Sequence, residues 1–189
     1  MQIILDLDET LINSQPLEEL TPDERKRFMR RFRTHNMDGY YLVSERPYLQ
    51  QFLDYLFSNH DISVWTAASH DYANFIITNI ILTKPERKIN FFFWDSHCKL
   101  SKKKFKNPKK LDLLWDIFKC EKLNKHNTFI IDDLDDVYNE QKCNSIPVIP
   151  PFDVFDNNSD GDQFLKKLIP VLENIKIKQS KCLTGEYHT

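Results

Sequence analysis

Apolar residues fall into two patterns along this chain. β-prone runs at residues 3–5, 61–67, 90–95 and 127–131 read as buried strands, and 145–150 as a further short one. Between them, apolar residues recur at helical spacing. Leu49, Phe52, Leu53, Leu56 and Phe57 follow Pro47, a helix over 70–82 follows the cap Ser69, and Leu111, Leu114, Trp115 and Phe118 follow Asn107 and Pro108. A last helix is expected from a Ser159/Asp162 cap to about residue 175, with Pro170 inside it, and a loose polar tail over 176–189. Strands alternating with helices predict an α/β fold, a Rossmann-like open parallel sheet flanked by helices.

One stretch breaks the alternation. Thr21-Pro22-Asp23-Glu24 is a capping box with proline at the first helical position. The helix it opens runs to Arg33 and is strongly basic, with Phe28, Met29 and Phe32 among the charges. That pattern suits a solvated amphipathic helix, and it also suits a face for a phosphopeptide. Met37-Asp38-Gly39 is a turn signal before β-prone residues 40–43, so a small hairpin follows. Residues 13–45 are therefore expected to form a helix and hairpin inserted after the first strand of a single domain covering 1–175.

The polar residues that end the strands carry the chemistry. Strand 3–5 ends in Asp6 and Asp8, strand 61–67 ends at Thr66, and strand 127–131 ends in Asp132 and Asp133. In a parallel sheet these ends share one edge, beyond which ligands bind. Carboxylates gathered there repel unless a proton or a cation compensates them. Oxygen ligands without convergent His or Cys favour Mg²⁺ over zinc. With a lysine from the helix opening at Asn107, the edge suits a phosphate. Lys109 and Lys110 both compete for that role; a cap at Asn107 puts Lys109 next to the positive helix end.

Composition narrows the surroundings. Lys and Arg number 26 against 28 Asp and Glu, so no global field favours nucleic acid or membrane, and direct nucleic-acid binding is not expected. Cys98, Cys120, Cys143 and Cys182 lack metal-site spacing and read as reduced thiols of an intracellular protein, nuclear or cytoplasmic. No secretory leader is expected ahead of a functional cluster that begins at position 6, and no apolar run is long enough to span a bilayer. Three glycines beside abundant Asn, Lys and Ile suggest AT-rich coding, as in some eukaryotes and large DNA viruses.

Asp6-Leu7-Asp8-Glu9-Thr10-Leu11 after an apolar strand resembles the first motif of the haloacid dehalogenase superfamily. The version is that of the NLI-interacting-factor-like phosphatases of the RNA polymerase II carboxy-terminal domain (CTD). Trp65-Thr66-Ala67-Ala68-Ser69 resembles the second motif, and Arg46-Pro47 with Phe52-Leu53 resembles the family's following helix. Lys109 to Trp115 and Asn127 to Asp133 are most similar to the ubiquitin-like-domain-containing branch, and the resemblance spans Ile3 to about Ile175. It implies Asp6 as nucleophile through a phospho-aspartate, Asp8 as general acid/base, and Thr66, Ala67 and Lys109 as phosphate-binding. It also implies Mg²⁺ held among Asp6, Asp8, Asp132 and Asp133, and a phosphorylated protein substrate, with the CTD repeat as first candidate.

Three departures qualify the resemblance. The fourth motif reads Asp132-Asp133 where many CTD phosphatases have Asp-Asn, though the ubiquitin-like branch shares Asp-Asp. With no ubiquitin-like domain expected before Asp6, that branch's proteasome targeting is not carried over. The 13–45 insertion has no evident counterpart, which leaves the substrate open. The alternatives are a small-molecule or nucleic-acid-end phosphatase of the same superfamily, and a non-catalytic scaffold, against which the intact acids speak.

Overall fold

The computed structural model describes residues 1–146 and 149–184, without the side chains of 176–184. Four parallel strands form the central sheet: β1 (Gln2–Leu5), β5 (Asp61–Trp65), β6 (Ile89–Phe93) and β7 (Thr128–Ile131), in the order β6-β5-β1-β7. β1 lies inside, with Leu5 beside both Val64 and Ile131. That flush register ends three strands on one line, so Asp6, Thr66 and Asp132 emerge at a common edge. The expected convergence of strand ends is therefore present.

Both faces of β1 are covered, which is why its run is solidly apolar rather than alternating. Ile3 and Leu5 pack with α2 (Leu49–Asn59), α3 (His70–Ile76) and α6 (Phe164–Thr184). Ile4 faces the other way, onto Trp65, Cys98, Leu113, Leu114 and Val137. These come largely from α4 (Asp95–Phe105), a π-helical turn (Leu113–Ile117) and α5 (Asp135–Asn139). α3 likewise continues into a π-helical turn, Ile77–Ile81. No helix among the described residues is long and apolar enough to cross a membrane.

The inserted stretch holds more sheet than expected. β2 (Ile12–Pro16), β3 (Thr34–Met37) and β4 (Tyr41–Glu45) form an antiparallel sheet in the order β2-β4-β3. The hairpin turn carries two left-handed residues, Asp38 (φ 49°) and Gly39 (φ 81°), where glycine is at no disadvantage. α1 (Pro22–Arg31) has the full Thr21/Glu24 capping box. Its Phe28 packs with Phe32, Leu42, Phe152 and Val154, whereas Val43 of the same sheet joins the main core. β2 escaped the sequence reading because Asn13, Ser14 and Gln15 carry no apolar alternation.

Other expectations change as well. Asp95 opens α4 instead of ending a strand, and the lysine run finishes that helix. Sparse apolar positions hid it; Asp95 in its first turn and Lys102, Lys103 and Lys104 in its last match the helix dipole. The helix expected from Asn107 does not start there. Asn107 Oδ1 takes the Lys109 N–H (2.9 Å), but Ser101 Oγ takes that of Lys110 (3.0 Å) and Gln141 Oε1 that of Leu111 (2.9 Å). Side chains thus serve the amides that a helix start would leave open, and regular winding begins only near Leu113.

At the carboxyl end, Ser159 starts a short 3-10 turn, while Asp162 Oδ1 accepts the N–H of Phe164 at the head of α6 (2.6 Å). α6 runs past Ile175 to Thr184, since no glycine or proline follows Pro170 before that point. Residues 185–189 of the expected tail lie outside the described ones. Of the strand expected at 145–150, Ser145 makes one parallel bridge to Ile130, and Pro147 and Val148 lie outside the described residues.

Arg46, directly after β4, ties these parts together. Its buried guanidinium donates to Asp162 Oδ2 (2.9 and 2.7 Å), to the Pro150 carbonyl (3.0 Å) and to the Thr10 carbonyl (3.1 Å). Arg46→Ala strands Asp162 and two carbonyls, so urea unfolding should show a loss of about 3 kcal/mol. Arg46→Lys should recover less than half, because a compact ammonium lacks the planar fork that reaches Asp162 and both carbonyls at once. A loss under about 1 kcal/mol for the alanine variant would contradict this role.

Candidate active site

Beyond Leu5 the chain turns sharply. Leu11 and Ile12 N–H both bond the Leu7 carbonyl (2.8 and 3.1 Å), and Glu9 takes a left-handed conformation (φ 58°). On a regular strand, residues two apart share a face; the turn instead gives Asp6 and Asp8 different partners. Asp6 stays in line with the sheet, its N–H bonded to the Ile131 carbonyl (2.9 Å).

Lys109 reaches the Asp6 carboxylate from the loop before the π-helical turn. Its ammonium bonds Asp6 Oδ1 and Asp132 Oδ2, the latter at 2.7 Å, and all three groups are buried. The backbone of Lys109 is fixed on both sides, by Asn107 at its N–H and by Gln141 Nε2 at its carbonyl (2.8 Å). Burial alone would depress the ammonium, but Asp6 and Asp132 outweigh it and hold Lys109 above the ordinary lysine range. Lys110 turns away, to the Glu140 carbonyl.

The acids are under-compensated. Asp6, Asp132 and Asp133 offer oxygens that all lie within 4.8 Å of one another. Burial pushes the Asp6 carboxyl well up, and Asp132 adds to that while Lys109 opposes it. Asp133 is raised by burial and by Asp132. Three carboxylates against one ammonium leave two negative charges, the deficit a divalent cation matches, and the donor set is all oxygen. The residues fit Mg²⁺ in charge and donor type, with Asp6, Asp132 and Asp133 as the group that would hold it.

Asp8 is not one of that group, although its charge acts on Asp6. The Tyr72 hydroxyl bonds its Oδ1, and burial raises its carboxyl above the usual range. Thr66, just past β5, is buried, and its Oγ1 accepts the Ala68 N–H (3.1 Å). Among the described residues no acceptor takes the Thr66 hydroxyl proton. Ala67 beside it is exposed.

Several contributors carried no sequence signal of their own. Thr10 Oγ1 lies 3.2 Å from Asp6 Oδ2 and 3.0 Å from Asp133 Oδ1, and it accepts the Asp133 N–H (3.1 Å). It stood inside the first motif without a role. Nothing in the spacing of Gln141 or Tyr72 points to a site.

The sequence profile of NLI interacting factor-like phosphatases matches residues 1–183. The chain belongs to this family. A CTD phosphatase-like protein of Invertebrate iridescent virus 6 is 50% identical over 177 residues, covering 90% of this chain and 96% of that protein. Its counterpart in Invertebrate iridescent virus 3 is 42% identical over 181 residues, covering 92% and 96%. Relatives in large DNA viruses agree with the coding bias read from composition. The ubiquitin-like domain-containing CTD phosphatase of Arabidopsis thaliana is 29% identical over 150 residues, 76% of this chain and 42% of that protein. Among solved structures, the fission yeast RNA polymerase II CTD phosphatase Fcp1 bound to beryllium fluoride shares the fold. Its TM-score is 0.58 at 18% identity, over 96% of this chain and 52% of that one, so this family member spans about half the Fcp1 chain.

A phosphatase assay should separate the two lysines. Lys109→Ala should lower kcat/KM at least ~100-fold by removing charge beside Asp6, and Lys110→Ala should stay within about threefold, a surface-residue effect. The reverse order in steady-state kinetics, with both variants folded by circular dichroism, would contradict the placement.

Proposed function

We propose that the protein is a Mg²⁺-dependent phosphatase that removes phosphate from serine or threonine in an extended polypeptide, through a phospho-aspartate on Asp6. The observation that carries this reading is the buried Asp6 carboxylate held between Lys109 and the Asp132/Asp133 pair, with Asp8 nearby on separate partners. A carboxylate so placed is a nucleophile for phosphorus, and the lysine offsets the charge it meets there.

In the first half, an Asp6 oxygen forms a bond to phosphorus as the bond to the seryl oxygen breaks. The leaving oxygen takes a proton from Asp8, whose raised carboxyl keeps that proton to higher pH than an exposed aspartate would. Lys109 and the Thr66 hydroxyl hold the phosphoryl oxygens. Mg²⁺, when bound by Asp6, Asp132 and Asp133, supplies positive charge to those oxygens. In the second half, Asp8 takes a proton from water as the water oxygen bonds to phosphorus, and Asp6 is released.

The choice of polypeptide over metabolite rests on two supports. The insertion is a three-stranded sheet with one α-helix, a cover too small to enclose a metabolite, so the edge should stay open to a chain. α1 exposes Lys26, Arg27 and Arg30, and α4 exposes Lys102, Lys103 and Lys104, which suits a multiply phosphorylated segment. The viral relatives are named for CTD phosphatases, which makes the phosphorylated CTD repeat the first candidate substrate.

A substrate panel tests this directly. With Mg²⁺, kcat/KM on phosphoserine and phosphothreonine peptides, CTD repeats included, should exceed that on sugar phosphates, nucleotides and 3′-phosphorylated DNA tenfold or more, about 1.4 kcal/mol. Chelation should abolish turnover and added Mg²⁺ restore it. A small phosphate or a DNA end winning by that margin, or full activity after chelation, would overturn the reading.

A further inference from the structure

We propose that Tyr72 and Ser14 are positioning residues for Asp8, and that the inserted sheet thereby sets which oxygen of the catalytic acid faces the substrate. This rests on the assignment of Asp8 as the acid. The evidence is a chain of three side chains from different parts of the fold. Asp8 follows β1, Tyr72 sits in the first turn of α3, and Ser14 is the middle residue of β2. The Tyr72 hydroxyl bonds Asp8 Oδ1, and the Ser14 hydroxyl bonds the Tyr72 oxygen.

The direction of the chain follows from proton counting. A phenol carries one proton. Tyr72 spends it on Asp8 Oδ1, so its oxygen must accept from Ser14. Oδ1 is then an acceptor, and the proton that Asp8 delivers sits on Oδ2. In the first half-reaction, the bond from phosphorus to the seryl oxygen breaks, its electron pair goes to that oxygen, and the Oδ2 proton joins it. In the second half, the proton of the attacking water returns to Oδ2. Tyr72 and Ser14 keep their own protons throughout.

Tyr72 is suited to hold a fixed geometry. Its N–H is capped by Ser69 Oγ (3.4 Å), its ring lies in the main core, and Tyr41 of β4 meets it edge-on with centroids 5.7 Å apart. Ser14 and Tyr41 both belong to the inserted sheet, on paired strands β2 and β4. Two contacts from the insertion therefore fix the phenol that fixes the acid. Without the hydroxyl, the Asp8 carboxylate loses the side-chain donor that fixes Oδ1. The insertion then has a catalytic consequence beyond covering the substrate.

Leaving-group dependence separates positioning from a merely structural role, because only a poor leaving group needs the acid. Wild type, Tyr72→Phe, Ser14→Ala and Asp8→Asn are compared with Mg²⁺ on a phosphoserine peptide and on 2,4-dinitrophenyl phosphate. Tyr72→Phe should lose about 30-fold in kcat/KM, which reports the phosphorylation of Asp6 alone, on the peptide and no more than about threefold on the activated ester, less than the ~10²–10⁴ of losing the acid itself. Ser14→Ala should show the same asymmetry at about fivefold. It serves as the second reading if the phenylalanine variant folds poorly. Asp8→Asn should show the asymmetry most strongly. Equal losses on both substrates in Tyr72→Phe and Ser14→Ala, with Asp8→Asn still discriminating, overturn the positioning roles alone. No discrimination in Asp8→Asn overturns the acid assignment and the proposal with it.

Discussion

A buried ammonium between two buried carboxylates is the constraint on which the rest of this structure depends. Lys109, Asp6 and Asp132 are all shielded from water, and taking such charges out of water costs several kcal/mol per ion before any attraction returns it. The arrangement is tolerable only if each group is held where the attraction is strong. β1 and β7 run flush, so Asp6 and Asp132 leave the sheet side by side. Asn107, Ser101 and Gln141 fix the backbone that carries Lys109 and Lys110. The remaining negative charge, on Asp133 and its neighbours, is the deficit that the proposed Mg²⁺ would offset.

Much of this was legible in the amino-acid sequence, for identifiable reasons. Solid apolar runs ending in aspartate or threonine marked the strands and their common edge, because burial on both faces and a ligand at the carboxyl end leave that signature. Asp6, Asp8, Thr66, Lys109, Asp132 and Asp133 were readable as candidates on those grounds and on the family motifs. The preference for Lys109 over Lys110 also agrees with where the two ammoniums go, although the helix start invoked for it is absent.

What was illegible depends on partners far away in the chain. α4 has too few apolar positions to show a face, and the 107–111 segment is held off a helix by Ser101 and by Gln141, thirty residues on from Leu111. Thr10, Tyr72 and Ser14 matter only through side chains that the fold brings to them. β2 is polar along most of its length and is a strand because β4 pairs with it. The insertion's basic helix was legible as a candidate phosphopeptide face, but its sheet, which reaches Asp8 through Tyr72 of α3, was not.

The central claim is that Asp6 carries the phosphoryl group during turnover. Rapid quenching of the Mg²⁺-loaded protein with a phosphoserine peptide, followed by borohydride reduction, converts an aspartyl phosphate to homoserine that mass spectrometry can place. The account predicts homoserine at position 6 alone, none in Asp6→Asn, and more of it in Asp8→Asn when 2,4-dinitrophenyl phosphate replaces the peptide, since that leaving group needs no acid while hydrolysis is slowed. Modification at another residue, or turnover without any trapped intermediate in wild type and Asp8→Asn alike, would contradict it.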